Sequence, residues 1–379
     1  MDFELSDEQK DVQKAAREFA QGEFDPDLAL EWDQGGQFPE SVWKKACHLG
    51  FIGIHYPEEF GGQGLGLLEN VLVMEAFCRV DSGIGSALGS VDLGSEALLK
   101  FGSLEHKKQF LLPLTKGEKR MTIAFAESED GRDFTSLSTV AEKNGGYLLR
   151  GKKRFVPNGT LAETFLILAR EPKEGWVTLI VEKEWAEIQI APIEKMGLRM
   201  IPFGDLHLKN VRVPVQFRLG RKGDGMIHAQ QCLQAIGLRS TGQALGIMQG
   251  AFDRALQYSK QRVQFGKTIS QFQAIRHKLA EMAVNVEVAR WLTYRSALDY
   301  DQGRVEEVSL SITQLEVGRR MIGVVDEAVQ IFGGYGYVAE QSIEHYFRDA
   351  WAIGVEIGTE EELKDIIAAK ILGPIPKII

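Results

Sequence analysis

The sequence predicts a mainly α protein with a central β domain, and three observations carry that reading. Apolar residues recur at helical spacing from the start to about residue 115. Between about 120 and 215, short runs are separated by Gly, Asn, Pro and charged clusters, the pattern of an antiparallel barrel-like or sandwich unit. From about 222 long helical periodicity returns, and such helices with short connections favour an antiparallel four-helix bundle. The expected domains are 1–118 (N-terminal helices), 119–218 (β) and 219–379 (C-terminal bundle).

In chain order, Ser6 with Gln9 is a capping-box pattern that starts the first helix. Phe19, Val42, Trp43, Leu49, Val71, Val73, Met74 and Phe77 supply the apolar faces of the N-terminal helices. Tyr56 to Gly62 (YPEEFGG) is a breaker loop. The segment 81–102 is rich in small residues, which allow close helix approach, and holds Asp92 among apolar neighbours. Strands are expected at 147–150, 153–156, 165–169, 176–181, 188–191 and 205–211, with a hairpin turn at Asn144-Gly145-Gly146. Ile275, Leu279, Met282, Val286 and Leu292 mark one long C-terminal helix, and Val308, Ile312 and Leu315 another.

Bulk properties narrow the function classes. A hydrophobic fraction of 44% and a charged fraction of 26% are ordinary for a soluble globular chain. The net charge of −9 argues against nucleic acid as a partner. Cys47, Cys78 and Cys232 are scattered without a CxxC, which points away from a disulfide framework or a zinc site. No metal site is expected. The acidic start MDFELSDEQK lacks the features of a signal or transit peptide, and no apolar run spans a membrane, so a cytoplasmic location is expected.

Four short constellations could carry chemistry. Arg262-Val-Gln-Phe265-Gly266 offers a guanidinium fork for phosphate oxygens and a flat ring; it could equally be a surface arginine beside a hydrophobic staple. Gln330 with Gly333-Gly334 offers close backbone approach, or simply a helix stop. Gly358-Thr359 at a helix entrance offers N–H groups suited to phosphate. Phe155-Val-Pro157-Asn-Gly, with Phe125-Ala-Glu-Ser128 upstream, could hold a planar heterocycle or be an ordinary hairpin.

Together these motifs resemble the acyl-coenzyme A dehydrogenase flavoproteins over nearly the whole chain. The resemblance rests on Arg262-x-x-Phe265-Gly266 with Phe272-Gln273, on Gln330-Ile-Phe-Gly-Gly-Tyr-Gly-Tyr337, on Arg348-Asp349 and on Gly358-Thr359. Lys195-Met-Gly-Leu-Arg199 and Val211-Arg-Val-Pro214 add the exit of the β domain. It implies non-covalent FAD, an acyl-CoA substrate, a homotetramer and an electron-transfer flavoprotein as electron acceptor. By motif position Arg262, Phe265, Gln273, Gln330, Gly333 and Gly334 would contact the adenosine diphosphate half. Thr359 and Glu361 would lie near the pyrophosphate, in an arrangement that involves another subunit. Phe125, Ser128, Phe155 and Pro157 would line the flavin ring, and Arg239 would lie near the acyl-CoA.

The chain also departs from the family. Phe155-Val-Pro157 replaces Trp-Ile-Thr, so a hydroxyl and an N–H are missing. Ser128 to Asp133 is shorter than the family's Thr-Glu-Pro-Gly-x-Gly-Ser-Asp. The family's catalytic carboxylate stands immediately before Gly-Thr, or in a minority before the arginine matching Arg239. These positions are Ile357 and Leu238, an apolar wall to the substrate. Glu356 is adjacent but is expected to point elsewhere. Asp92 is the candidate for a relocated base, against the alternative that it caps a helix starting at Leu93. A relocated base fits a γ proton, hence 1,4-dehydrogenation of cyclohex-1-ene-1-carboxyl-CoA to cyclohexa-1,5-diene-1-carboxyl-CoA. The alternatives are 1,2-dehydrogenation of cyclohexanecarboxyl-CoA or another short acyl-CoA, or a catalytically silent flavin and acyl-CoA binder.

Overall fold

The computed structural model describes residues 4–127, 134, 137–185 and 188–373. Seven helices come first: α1 (Asp7–Glu23), α2 (Pro26–Gly35), α3 (Glu40–His48), α4 (Leu67–Val80), α5 (Ser82–Gly89), α6 (Ser95–Phe101) and α7 (Leu104–Thr115). The capping box forms as expected: Ser6 Oγ accepts from the Gln9 N–H at 3.2 Å, and the Ser6 N–H donates to Gln9 Oε1 at 2.9 Å. Small residues let α5 lie against α4 and α4 against α8 (Gly225–Gln261). A Cβ on Gly85 would stand 2.6 Å from the Cys78 backbone nitrogen, and one on Gly246 2.5 Å from the Glu75 carbonyl oxygen.

The middle of the chain forms a curled sheet from β1 (Met121–Ala124), β2 (Val140–Lys143), β3 (Tyr147–Val156), β4 (Thr164–Glu171), β5 (Gly175–Glu182), β6 (Ile188–Ile193) and β7 (Phe203–Val213). The order is β1-β4-β2-β3-β7-β6, with β5 on the other edge of β4. Pairings β2–β3, β3–β7, β4–β5 and β6–β7 are antiparallel, as the sequence predicts. Two are not: β1 runs parallel to the start of β4, and β2 meets its end in parallel at Val140 and Arg170. Runs 147–150 and 153–156 belong to one strand, bent by irregularities in its register with β7. The turn at 144–146 joins β2 to β3, with Lys143 opposite Tyr147. Tyr147, Leu149, Phe165, Ile167 and Leu206 fill the curl.

After α8 a small hairpin, β8 (Val263–Gln264) and β9 (Lys267–Thr268), leads into α9 (Gln273–Asp301), α10 (Glu307–Phe332), α11 (Ile343–Ile357) and α12 (Glu360–Leu372). One large core joins residues of α1 and α4 with residues of α8, α9, α10 and α11, so the helices at the two ends of the chain share a hydrophobic interior. Two expected core residues, Leu49 and Ile312, are exposed instead. A second core, with Leu93, Phe110, Phe125, Leu166, Cys232 and Ile236, lies between the N-terminal helices, the sheet and α8. No described helix is long and apolar enough to cross a membrane.

Candidate active site

A cavity of about 690 Å³ opens where the sheet meets α8 and α11. The sheet side contributes Ile123, Phe125, Phe155 and Pro157, and the segment between β6 and β7 contributes Lys195 and Met196. From α8 come Leu233 and Ile236. From α11 come Arg348, Trp351, Ala352, Val355 and Glu356, a stripe at helical spacing, so one face of α11 forms a wall. Phe125 is buried and meets Phe134 edge-on at 6.1 Å. Phe155 takes φ 52, sparsely populated for a bulky residue, and its N–H donates to Asp205 Oδ1 at 3.2 Å. The Arg154 guanidinium lies 4.7 Å from its ring centroid. Ser128 lies outside the described residues.

The lining is supported from behind by a buried ion pair. Lys153 Nζ donates to Glu127 Oε1 at 2.7 Å and to the Phe125 carbonyl at 3.0 Å. Burial pulls the Lys153 amine down to about 8 although Glu127 opposes it. Burial lifts the Glu127 carboxyl, but Lys153, the Ser138 N–H and hydroxyl and the Thr139 N–H overcome that and leave it at about 2. Lys195, at the cavity wall with its ammonium 5.2 Å from the Phe203 ring, is lowered to about 8 by burial.

Asp92 does not cap a helix. Gly94, at φ 104, occupies the N-cap position of α6, which starts at Ser95. Asp92 is 1% exposed, and its residue forms a β-bridge with Met121. Leu93 lines the cavity, and the Asp92 carboxylate accepts from Arg239 Nη2 at 2.6 Å and from the Tyr56 hydroxyl at 2.6 Å. Burial raises the Asp92 carboxyl, but Arg239 and Tyr56 outweigh it and hold it below the ordinary range. Arg239 Nη2 also donates to the Gly89 carbonyl at 3.2 Å, and its buried Nη1 has no hydrogen-bond partner among the described residues.

Leu238 and Ile357 are both buried but do not line the cavity. Leu238 packs with Leu67, Leu68, Val71 and Leu72, and Ile357 belongs to the large helical core. Glu356, expected to point elsewhere, lines the cavity and accepts from Ser240 Oγ at 3.3 Å. Sequence reasoning missed it because it took the segment before Gly358 as undetermined in conformation. Helical periodicity through Ile357 places positions 348, 352 and 356 on one face and 349, 353 and 357 on another.

The adenosine-type residues fall elsewhere. Arg262, Gly333 and Gly334 line a second cavity of about 620 Å³ with Tyr258, Phe332 and Tyr335. Gly333 has φ 61 and ψ −135, a conformation that demands glycine, and the Arg262 guanidinium lies 5.4 Å from the Tyr335 ring centroid. Phe265 is 91% exposed at the tip of the β8–β9 hairpin. Gln273 and Gln330 are exposed at the start of α9 and near the end of α10. Thr359 caps α12, its hydroxyl accepting from the Glu362 N–H at 3.3 Å, and Glu361 is exposed in the first turn; neither lines the two cavities.

Comparison with known proteins follows the same plan. The chain matches the family models described as acyl-CoA dehydrogenase N-terminal domain (residues 6–118), middle domain (122–211) and C-terminal domain (223–372). It is 34% identical to the 3-(aryl)acrylate reductase of Clostridium sporogenes, over 95% of this chain and 97% of that one. It is 32% identical to the caffeyl-CoA reductase-Etf complex subunit CarC of Acetobacterium woodii, over 97% and 99%. Among solved structures, butyryl-CoA dehydrogenase from Megasphaera elsdenii superposes with a TM-score of 0.93 at 32% identity, covering 98% of this chain and all of that one. An FAD complex of PigA superposes at 0.92 with 28% identity, over 98% and 99%. The first cavity, apolar with aromatic residues on the sheet side, fits the planar ring of FAD; the second, with its guanidinium and glycines, fits a phosphate-bearing adenosine end.

Proposed function

The chain belongs to the acyl-CoA dehydrogenase family, FAD-dependent oxidoreductases acting on CH–CH groups, and from that premise we propose that it carries out 1,4-dehydrogenation of cyclohex-1-ene-1-carboxyl-CoA. Phe125, Phe155 and Pro157 would hold the ring system of FAD, with Arg262, Gly333 and Gly334 at its adenosine end. When bound, FAD supplies the acceptor for a hydride. Asp92 takes the proton from the ring carbon γ to the thioester. The electrons of that C–H bond form a new double bond to the β carbon, and the original double bond shifts to the other β carbon as its hydride departs. Asp92 is kept ionised by Arg239 and Tyr56, so it is ready to accept. Nη1 of Arg239, which has no hydrogen-bond partner among the described residues, is a buried donor suited to the oxygen on which negative charge would collect. Electron-transfer flavoprotein, with which relatives associate by name, is the proposed acceptor, and a homotetramer the proposed assembly.

The observation that supports this reading is the buried Asp92–Arg239–Tyr56 group, whose Asp92 immediately precedes Leu93 of the cavity lining. One observation favours a second reading. Glu356 lines the cavity itself and could remove an α proton, giving 1,2-dehydrogenation of cyclohexanecarboxyl-CoA or another short acyl-CoA. Anaerobic bleaching of the yellow holoprotein separates the two. The first reading expects cyclohex-1-ene-1-carboxyl-CoA to bleach the flavin, Asp92→Asn to slow this by about 100-fold or more, and Glu356→Gln to leave it within a few fold. The reverse pattern, with cyclohexanecarboxyl-CoA as the bleaching ester, establishes the second. Bleaching by a linear acyl-CoA alone removes ring specificity.

A further inference from the structure

On the sheet side of the first cavity, β3 carries one residue more than β7. Lys153 pairs with Leu206 and Val156 with Gly204, so Arg154 and Phe155 together stand opposite Asp205. This is a β-bulge, a device that bends a strand and re-aims a side chain beside a site. The Arg154 N–H leaves the ladder and donates to the Ala126 carbonyl at 2.9 Å. Phe155 takes φ 52, in the left-handed region that glycine enters freely and a bulky residue enters only when its surroundings enforce it. The enforcing group is Asp205. Its Oδ1 accepts from the Phe155 N–H at 3.2 Å, and its Oδ2 pairs with Lys152 Nζ at 3.0 Å and Arg154 Nε at 3.4 Å. The Arg154 guanidinium in turn lies over the Phe155 ring, 4.7 Å from its centroid.

One carboxylate thus fixes both the backbone of Phe155 and the cation over its ring. Phe155 lines the cavity and Asp205 does not. We propose that Asp205 is a positioning residue for FAD, locking the bulge so that Phe155 presents its ring as the surface on which the flavin packs. A glycine at position 155 would need no such lock but would offer no ring. An aromatic residue there offers the ring and needs the lock, because its N–H has lost a ladder partner and its φ is strained. The inference rests on the reading that this cavity takes the flavin ring. It adds that the affinity for FAD is set partly by a residue that never touches it.

The test is a double-mutant cycle read by FAD affinity rather than by activity. Holoprotein is diluted in steps, and flavin fluorescence reports the fraction of FAD released. Stacking of a flat heterocycle on an aromatic side chain is worth about tenfold in affinity, so Phe155→Leu should weaken FAD binding by about that factor. Asp205→Ala should weaken it to a similar extent. Asp205→Asn keeps an oxygen that accepts the Phe155 N–H, so it should stay within about threefold of wild type, and it keeps the test open should Asp205→Ala not fold. The double variant Asp205→Ala with Phe155→Leu should bind FAD no more weakly than Phe155→Leu alone, because a residue acting only through Phe155 has nothing left to position. Losses that multiply in the double variant would mark Asp205 as a general support of the fold and overturn the proposal. So would Asp205→Asn binding as weakly as Asp205→Ala, or Asp205→Ala binding like wild type. If Phe155→Leu itself binds FAD like wild type, the placement of the flavin against Phe155 has failed, and the role of Asp205 falls with it.

Discussion

Single side chains set what the cavity can do. Lys153 is buried with no exposed surface, and among the described residues Glu127 is its counter-charge in direct contact. Removing one partner of such a pair strands the other charge, so Glu127→Gln should destabilise the fold by about 3–5 kcal/mol in chemical denaturation at pH 7. The pair also gives pH dependence a definite sign. Glu127 has a folded value near 2 against an ordinary 4.5, so its stabilisation is present above about pH 4.5 and is lost as pH falls toward 2. Lys153 acts in the opposite region. With a folded value near 8 against 10.5, the folded state binds fewer protons there, and stability should rise as pH climbs through that window. Denaturation midpoints across pH, compared with Glu127→Gln, check both limbs. Neither partner stood out as a site residue in the sequence, because their pairing joins a loop after β1 to the interior of β3. Asp92 did stand out, because a carboxylate among small apolar residues demands an explanation. Its partners Tyr56 and Arg239 are 36 and 147 residues away and could be found only in three dimensions.

At the level of elements, α11 decides which carboxylate meets the cavity. Its face with Arg348, Ala352 and Glu356 is a wall, and its face with Asp349, Ile353 and Ile357 is core. A carboxylate placed at Ile357 would thus enter the helical core rather than the site. Ile357→Glu is expected to cost about 3 kcal/mol or more through burial of an unpaired charge, and to give no new bleaching with linear acyl-CoA esters. Thermal denaturation and the anaerobic bleaching assay measure the two halves; a stable variant that bleaches with linear esters would falsify the assignment of faces. The same scale explains what was legible beforehand. Long helices announce themselves by period, and the capping box at Ser6 and the turn at 144–146 act within a few residues. Strands β1 and β2 were missed because each spans only four residues; β1 gains its place from a parallel partner on β4, far along the chain, and β2 from its hairpin with β3. Positive φ at Phe155 was equally hidden, since an aromatic residue does not advertise a conformation it adopts only when its surroundings enforce it.

Across the whole molecule, one knot ties the ends of the chain to the segment beside the cavity. Arg348 of α11 donates from Nη2 to Asp33 of α2 at 2.7 Å and from Nη1 to the Met196 carbonyl at 3.0 Å. Arg199 approaches Asp33 from the same segment at 3.5 Å. The neighbouring Asp349 accepts from the Leu198 N–H at 2.6 Å and from Ser82 Oγ at 2.7 Å, fixing that segment to α5 as well. Lys195 and Met196, between these anchors, form part of the cavity wall, so the knot holds the wall in place. Arg348→Met keeps the length of the side chain but releases Asp33 and Met196 together. Because Arg199 still faces Asp33, the stability loss should fall near the low end for a broken buried pair, about 3 kcal/mol. The sharper effect is local: amides of residues 195–200 should exchange faster with deuterium than in wild type, and FAD should be lost more readily during gel filtration. Unchanged exchange there alongside a normal flavin content would show that the wall stands without the knot, leaving Asp349 and the sheet to hold it.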